Sequence, residues 1–414
     1  MTRFALLREH DFRGLFLADT ASQVGSQVLM LALPLIAASA LRASPVEMGL
    51  LVMFETLPFI LVGLPAGAIV DRLRKRTVMI VADWGRALLL VTVPLAWWAE
   101  ALTIWQLYGV ALLVGCFTVF FDVSYQSYLP FLVGREHLVQ GNSALEVVRT
   151  VSQLGGPTAA GFLIQAVTAP FAMIATVFGL VWSALFLNGI RKREQPPERG
   201  PDAHLGREIV EGLKFVLGHP LLRRIAGSTG TFNLFGSMLM PMGILLLTQD
   251  LGLSEGTIGL LFAASGLGGL VGAALTGRMV ARFGQGPTIW MSSLLGAPLT
   301  FVLPWTEADW RLGLFVLYEF VLGVSVVVYN VTQLSFRQAA TPEPLLGRMN
   351  ATMRFLVWGT MPLGGLLGGL LGEVIGVRAT LLVGACGVSL AFLWVFTSPM
   401  RTMRELPVSS HTPR

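Results

Sequence analysis

Charge is scarce in this sequence. Of 414 residues, 13% are Asp, Glu, Lys or Arg, about half the share of a soluble domain. Hydrophobic residues make up 54%, and the mean hydropathy is +0.69. That balance excludes an ordinary water-soluble fold and points to a bilayer protein. Cysteine is nearly missing. Cys116 and Cys386 both lie inside apolar runs, so neither a disulfide framework nor a thiolate metal site is expected. The five histidines, His10, His137, His204, His219 and His411, fall in polar breaks or ends, which argues against a metal cluster. Lysine is limited to Lys75, Lys192 and Lys214. The basic residues form no continuous stripe, so nucleic acid is not an expected partner. No phosphate-binding loop of the Walker type is present, so ATP is not a direct energy source. Gly266-Leu267-Gly268-Gly269 lies inside an apolar run with no strand before it, and reads as helix packing. No nucleophile–base arrangement suggests an enzyme, and no cofactor is expected.

What the sequence has is long apolar runs. A membrane-crossing helix needs roughly 20 apolar residues. Twelve runs qualify: 14–40, 46–70, 77–98, 103–128, 142–168, 170–190, 222–249, 254–277, 287–305, 310–335, 347–372 and 376–397. The first is too long for a signal-peptide core and is expected to remain as a crossing. One break is long and polar, 191–221, beginning RKREQPPERGPD. Its later part spaces Ile209, Leu213, Val216 and Leu217 on one helical face, so an amphipathic helix along the membrane surface is expected. The expected organisation is an all-α membrane protein with 12 transmembrane helices. A six-helix bundle spans 1–190, a linker 191–221, a second bundle 222–397 and a tail 398–414. Orientation follows from basic residues. Arg42, Arg311 and Arg378 fall in odd-numbered breaks, and Arg86, Arg149 and Arg354 fall within runs. The remaining basic residues gather at the N-terminus, the even-numbered breaks and the tail, with Arg223, Arg224 and Arg348 at the run ends that adjoin such breaks. Both termini and the linker are therefore expected on the cytoplasmic side.

The halves repeat. Adding 210 carries Arg13 to Arg223, Gly49-Leu50-Leu51 to Gly259-Leu260-Leu261, and Gly67 and Arg72 to Gly277 and Arg282; adding 208 carries Asn142 to Asn350. Two similar sixes form a parallel repeat, related by a pseudo-two-fold axis, as in many transporters.

Ionisable residues inside a bilayer are costly and mark pathways or paired structural sites. Asp19, Gln23 and Gln27 share one face of the first crossing. Their repeat partners Thr229, Asn233 and Ser237 share a face of the seventh. Two matching polar stripes are expected to line a common cavity, although polar helix packing is the competing reading. On the fourth crossing Ala111, Gly115, Thr118 and Asp122 share a face; their partners on the tenth are Glu319, Gly323, Val326 and Asn330. Asp19, Asp122 and Glu319 are candidates for a proton or a cationic substrate, with Glu319 the sharpest. Glu55, beside Val52, Phe59 and Val62 on the second crossing, is a further candidate, with a hydrogen-bonded structural acid as its alternative. Asp83 with Arg86, and Glu146 with Arg149, stand three apart and can neutralise each other, with side chains long enough to reach interfacial water. Arg354 has no local acid and is expected to find one elsewhere, at Asp71 or Asp122.

The turn Gly67-Ala68-Ile69-Val70-Asp71-Arg72-Leu73-Arg74-Lys75-Arg76 resembles the loop motif of the major facilitator superfamily, with Arg74 where the family has a second glycine. Its repeat partner, Gly277 to Gly284, keeps that glycine but has Ala281 in place of the acid. The fifth run carries Gly155-Gly156-Pro157-Thr158-Ala159-Ala160-Gly161, similar to the antiporter signature of exporters in that superfamily. Gly364-Gly365-Leu366-Leu367-Gly368-Gly369 reads as a packing seam. Asp122, SYLPFLV (127–133) and GLKFVLGHPLLRR (212–224) resemble the branch containing enterobactin exporters and macrolide efflux proteins. The resemblance implies a monomeric cell-membrane transporter with two bundles that rock around a cavity lined by helices 1, 4, 7 and 10. It implies that Asp71, with Gly67, Arg72 and Arg76, latches the halves by meeting the positive end of the eleventh helix. It implies export of a small amphipathic compound in exchange for protons, with Gly156, Pro157 and Gly161 shaping the fifth helix. A lysophospholipid flippase or nutrient transporter of the same fold is the alternative, and a transport-like sensor a more distant one.

Overall fold

The computed structural model describes residues 5–134, 137–192, 194, 205–342 and 345–405. Among them the chain is all helix: α1 His10–Leu35, α2 Pro45–Thr56, α3 Pro58–Leu61, α4 Gly63–Asp71, α5 Lys75–Trp98, α6 Ile104–Val133, α7 Leu138–Val167, α8 Ala169–Gly189, α9 Leu205–Gly218, α10 Leu222–Leu245, α11 Glu255–Phe283, α12 Gln285–Leu295, α13 Ala297–Thr300, α14 Arg311–Ala339, α15 Leu346–Trp358, α16 Met361–Ile375, α17 Val377–Leu390 and α18 Leu393–Phe396. Each of the twelve apolar runs is occupied by helix. Ten helical segments among the described residues are long and apolar enough to cross a membrane. The run 46–70 is not one continuous helix. It breaks at Leu57 and again at Val62, the first break coming just before Pro58, whose ring removes a backbone donor. The other exception, α7, is unbroken, but Gln153, Gly155, Gly156, Pro157, Thr158 and Gln165 dilute its apolar content.

The chain forms two compact units: residues 1–43, 54–202 and 254–260 in one, and 44–53, 203–253 and 261–414 in the other. In the first, α1 packs on α8 and α7, and α5 on α6 and α8. Phe12, Leu15, Met79, Tyr128 and Leu187 anchor its core. The Thr176 hydroxyl donates to the Gly25 carbonyl at 2.8 Å, stitching α8 to α1. In the second, α10 packs on α16 and α17, and α12 on α14, around Leu222, Ile225, Ile289, Phe336 and Met353.

The start of α2 belongs to the second unit and the start of α11 to the first. A methyl group on Gly369 would sit 2.9 Å from the Pro45 carbonyl oxygen, and one on Gly161 would sit 2.8 Å from the Gly259 Cα. Both crossings need backbone against backbone, which only glycine allows.

Each six-helix set ends in a short segment that folds back on its own charged turn. In the first unit, the Arg76 backbone N–H donates to a Glu194 carboxylate oxygen at 3.2 Å. The Arg76 guanidinium donates to the Leu187 carbonyl at 2.8 Å and to the Asn188 carbonyl. Lys192 reaches the Phe131 and Leu132 carbonyls at 2.8 and 3.1 Å. These cations satisfy carbonyls that the ends of α6 and α8 leave open. In the second unit, the Gln285 and Gly286 N–H groups donate to the Arg404 and Met403 carbonyls at 3.1 and 2.9 Å, and the Trp290 indole N–H to the Arg401 carbonyl at 3.4 Å.

The linker helix α9 packs against α15. Val216 is fully buried while Leu217 is exposed, so the expected single apolar face is divided. Arg348 pairs with Glu211 at 2.7 Å. The side chain of Ile209 lies outside the described residues.

Candidate functional site

The first unit holds a cluster of charge on α1, α6 and α7. Asp19 is 5% exposed and lies beside Gln23, one turn on, and Tyr125 of α6. Arg149 and Asp122 are near enough to act on it electrostatically. Gln27, a further turn along α1, packs its methylenes against Gly156 of α7, where a larger side chain would clash. The polar stripe of α1 therefore stays together. Tyr125 was not singled out from the sequence, though its place three residues after Asp122 on one helix face was a usable signal.

Arg149 corrects one expectation. Among the described residues no ion pair joins it to Glu146, and both side chains are exposed. An acid on a neighbouring helix competes with the one a turn away, and Asp19 stands within its electrostatic range.

The matching stripe on α10 is used differently. The Thr229 hydroxyl hydrogen-bonds the Tyr329 hydroxyl at 2.7 Å. The Asn233 amide donates to the Val357 carbonyl at 2.8 Å, the last turn of α15. Ser237 is buried and among the described residues its hydroxyl has no partner. Thr229 and Asn233 thus stitch helices together, which is the competing reading of that stripe, and Asn330 is exposed. Glu319 is 5% exposed on α14, and among the described residues its carboxyl group has no hydrogen bond or ion pair.

Asp83 and Arg86 pair as expected, but they do not reach toward water. Asp83 is fully buried and Arg86 is 5% exposed. The Ser183 hydroxyl donates to the second Asp83 oxygen at 2.7 Å, and the Arg86 guanidinium lies 4.6 Å from the centre of the Phe121 ring. Arg354 is a second correction. Among the described residues its contact is the Trp358 ring at 5.0 Å, one turn along the same helix, a cation–π pairing in place of an acid.

Glu55 is exposed, lining a cavity of about 210 Å³ within the first unit. In the charged turn, a side chain on Gly67 would meet nothing within 4 Å and Arg72 is exposed. The Asp71 side chain lies outside the described residues. Arg74 is extended at φ −70°, ψ 114°, so the turn needs no glycine there. The aligned Gly284 has φ +94°, where glycine is required. In the antiporter-like stretch, Gly161 lies at the α11 crossing, and Pro157 is buried with its carbonyl 2.7 Å from where a Gly259 side chain would begin. Gly268 lies inside α11 against the Phe320 backbone, as packing glycines do. Among the described residues no group of His, Cys, Asp and Glu could hold a metal ion.

The fold is shared with solved structures. A bacterial homologue of the iron transporter ferroportin, in its inward-facing state, superposes with a TM-score of 0.76 over 95% of this chain and 99% of that one, at 15% identity. That likeness shows a shared fold, and the family match and relatives that follow make the protein a multi-pass membrane transporter of the major facilitator type and not an enzyme. A family model described as transmembrane secretion effector matches residues 1–413, and the chain belongs to that family. It is 29% identical over 415 residues to the multidrug efflux pump Tap of Mycolicibacterium fortuitum, covering 96% of this chain and 97% of Tap. It is 27% identical over 357 residues to the enterobactin exporter EntS of Escherichia coli O1:K1 / APEC, covering 84% and 82%.

Proposed function

We propose that the protein exports a small amphipathic organic compound across the cell membrane in exchange for protons. The observation that carries the coupling is Glu319: a buried carboxyl group, on an apolar helix, with no partner among the described residues. A carboxyl group shielded from water favours its protonated form and releases the proton when water returns. Alternating exposure to the two sides would then move one proton per cycle, and a charge crossing 100 mV gains about 2.3 kcal/mol. Asp19, with Asp122 and Arg149 around it, is the second group able to exchange a proton or meet a cation. The efflux activities named for Tap and EntS support the outward direction.

In this reading both termini face the cytoplasm, the chain works as a monomer, and helices of both repeats line the substrate path. Asp71 latches the cytoplasmic side in the closed form. The test is ethidium transport in proteoliposomes under an imposed pH gradient. Wild type should accumulate the dye and dissipate the gradient. Glu319→Gln should abolish gradient-driven transport while the protein elutes and melts as wild type. Undiminished transport by that variant overturns the coupling role of Glu319.

A further inference from the structure

A second cavity lies where α5 ends, at the turn into α6 and beside the start of α8. It holds about 490 Å³ and is lined by Trp97, Trp98, Glu100, Leu102 and Phe171. It shares no lining residue with the cavity beside Glu55. Three aromatic side chains and one carboxyl group line it, and none of the lining residues is basic.

The backbone at both edges of this cavity carries side chains where glycine would cost less. The Glu100 N–H donates to the Trp97 carbonyl at 3.0 Å, and the Ala101 N–H to the Ala96 carbonyl at 2.8 Å. That pair of bonds closes α5 and places Glu100 at the left-handed position that glycine usually occupies. Its φ is +54°. An acid there also sits at the negative end of the helix dipole, where it is disfavoured. The Glu100 carboxyl has no hydrogen bond or ion pair among the described residues. Thr168 stands three residues before Phe171, between α7 and α8, with φ +70° and ψ 155°. That region belongs almost to glycine alone. Its repeat partner at offset 208 is Gly376, with φ +84°. Backbone strain of this kind gathers at ligand sites. A carboxylate added to the open carbonyl end of a helix calls for a cation.

The lining narrows the kind of cation. Trp and Phe ring faces attract an ammonium group, whereas a hard metal ion needs more oxygen ligands than one carboxylate supplies. The volume lies within the range of roughly 300–1,000 Å³ for small-molecule sites. Indole rings at the end of an apolar crossing sit at head-group level. Exposed apolar rows lead away from the two edges, through Leu95 and Leu88 on α5 and through Phe178 and Trp182 on α8. These two helices pack together. A ligand with an ammonium head and long hydrocarbon chains satisfies both features: the head enters the cavity and the chains follow the rows.

We propose that this cavity binds the alkylammonium head group of a membrane phospholipid, with Glu100 as counter-ion and the Trp97, Trp98 and Phe171 rings around it. The site lies apart from the acids assigned to transport, and the proposal holds whatever compound is exported. Anionic lipids without an ammonium group are disfavoured by the Glu100 charge.

The test uses the full chain, purified in detergent and freed of lipid, with bound lipid counted by native mass spectrometry. The probes are dioleoyl phosphatidylethanolamine, dioleoyl phosphatidylglycerol and free ethanolamine. Wild type should bind the ethanolamine lipid more tightly than the glycerol lipid. Glu100→Gln should weaken the ethanolamine lipid about fivefold, the scale of an exposed ion pair, and leave the glycerol lipid no weaker. Trp98→Leu, which keeps apolar surface but removes a ring face, should also weaken the ethanolamine lipid. Glu100→Gly separates binding from stability. It relieves the left-handed position, so the variant should melt above wild type while it binds the ethanolamine lipid less tightly. All three variants must elute as wild type. Equal affinity of wild type for the two lipids overturns the proposal, as does unchanged binding of the ethanolamine lipid by a folded Glu100→Gln variant. Free ethanolamine that displaces the lipid at equal concentration overturns the lipid as the source of the ammonium group.

Discussion

The two halves repeat at the positions that offsets of 210 and 208 relate, and have diverged in their chemistry. Where the first has Asp19, near Asp122 and Arg149, the second has Thr229 bonded to Tyr329. Where the first has small Ala111 at a cavity wall, the second has the isolated acid Glu319. The charged turns differ in the same way. In the first, Arg76 and Glu194 close the turn with side chains; in the second, Gln285 and Gly286 close it with backbone bonds to the tail. A duplicated scaffold tolerates either solution, because backbone groups left open at helix ends find partners in each half. The ionisable chemistry is what has been redistributed, so the halves are expected to respond differently to equivalent substitutions.

The strongest challenge to that asymmetry is exchange at the aligned acids. Glu319→Gln should remove gradient-driven transport, whereas Asp19→Asn, in a site with other polar groups, should leave a measurable rate in the same assay. Equal losses would collapse the distinction. The turns offer the next contrast. Gly284→Ala forces a side chain onto φ +94° and against Arg404, and should destabilise the protein by about 1–2 kcal/mol. Arg74→Gly at the aligned position should cost far less, both read as thermal midpoints. Close packing gives a third. Gly161→Ala, at the α11 crossing, should cost about 1–3 kcal/mol, while Gly67→Ala, in open space, should be neutral. The smallest effect concerns the entry to α10. His219 aligns with Glu9, and its Nδ1 accepts the N–H groups of Leu221 and Leu222 at 3.3 Å each. Burial pulls its pKa below the ordinary 6.5. The unfolded chain therefore binds the proton more readily, and this contribution is lost as pH falls through about 6.5. His219→Gln should flatten the melting temperature between about pH 7 and 5 relative to wild type, and an unchanged slope removes His219 from that role.

Much of the fold was readable because bilayer thickness, charge placement and repetition all act locally along the chain. The Asp83–Arg86 pair was readable for the same reason, being one helical turn apart. What escaped depends on partners far along the sequence. Ser183 completes the Asp83 site from another helix, and Glu194 meets Arg76 only once α8 has returned to the turn. Arg149 has an acid one turn away and another across the helix interface, and local spacing cannot rank them. The Trp358 partner of Arg354 was within reach, four residues on, but a search for acids passes over aromatic rings. The cavity beside Glu55 needed three dimensions, since six helices supply its walls.

The backfolded exits mean that each sextet carries its own finishing seam. A protease cut anywhere from 195 to 204 would leave Glu194 with one fragment and Arg404 with the other. Two separately made pieces could therefore each reach a finished edge, whereas a cut after Asn188 would strip Glu194 and Lys192 from the piece that needs them.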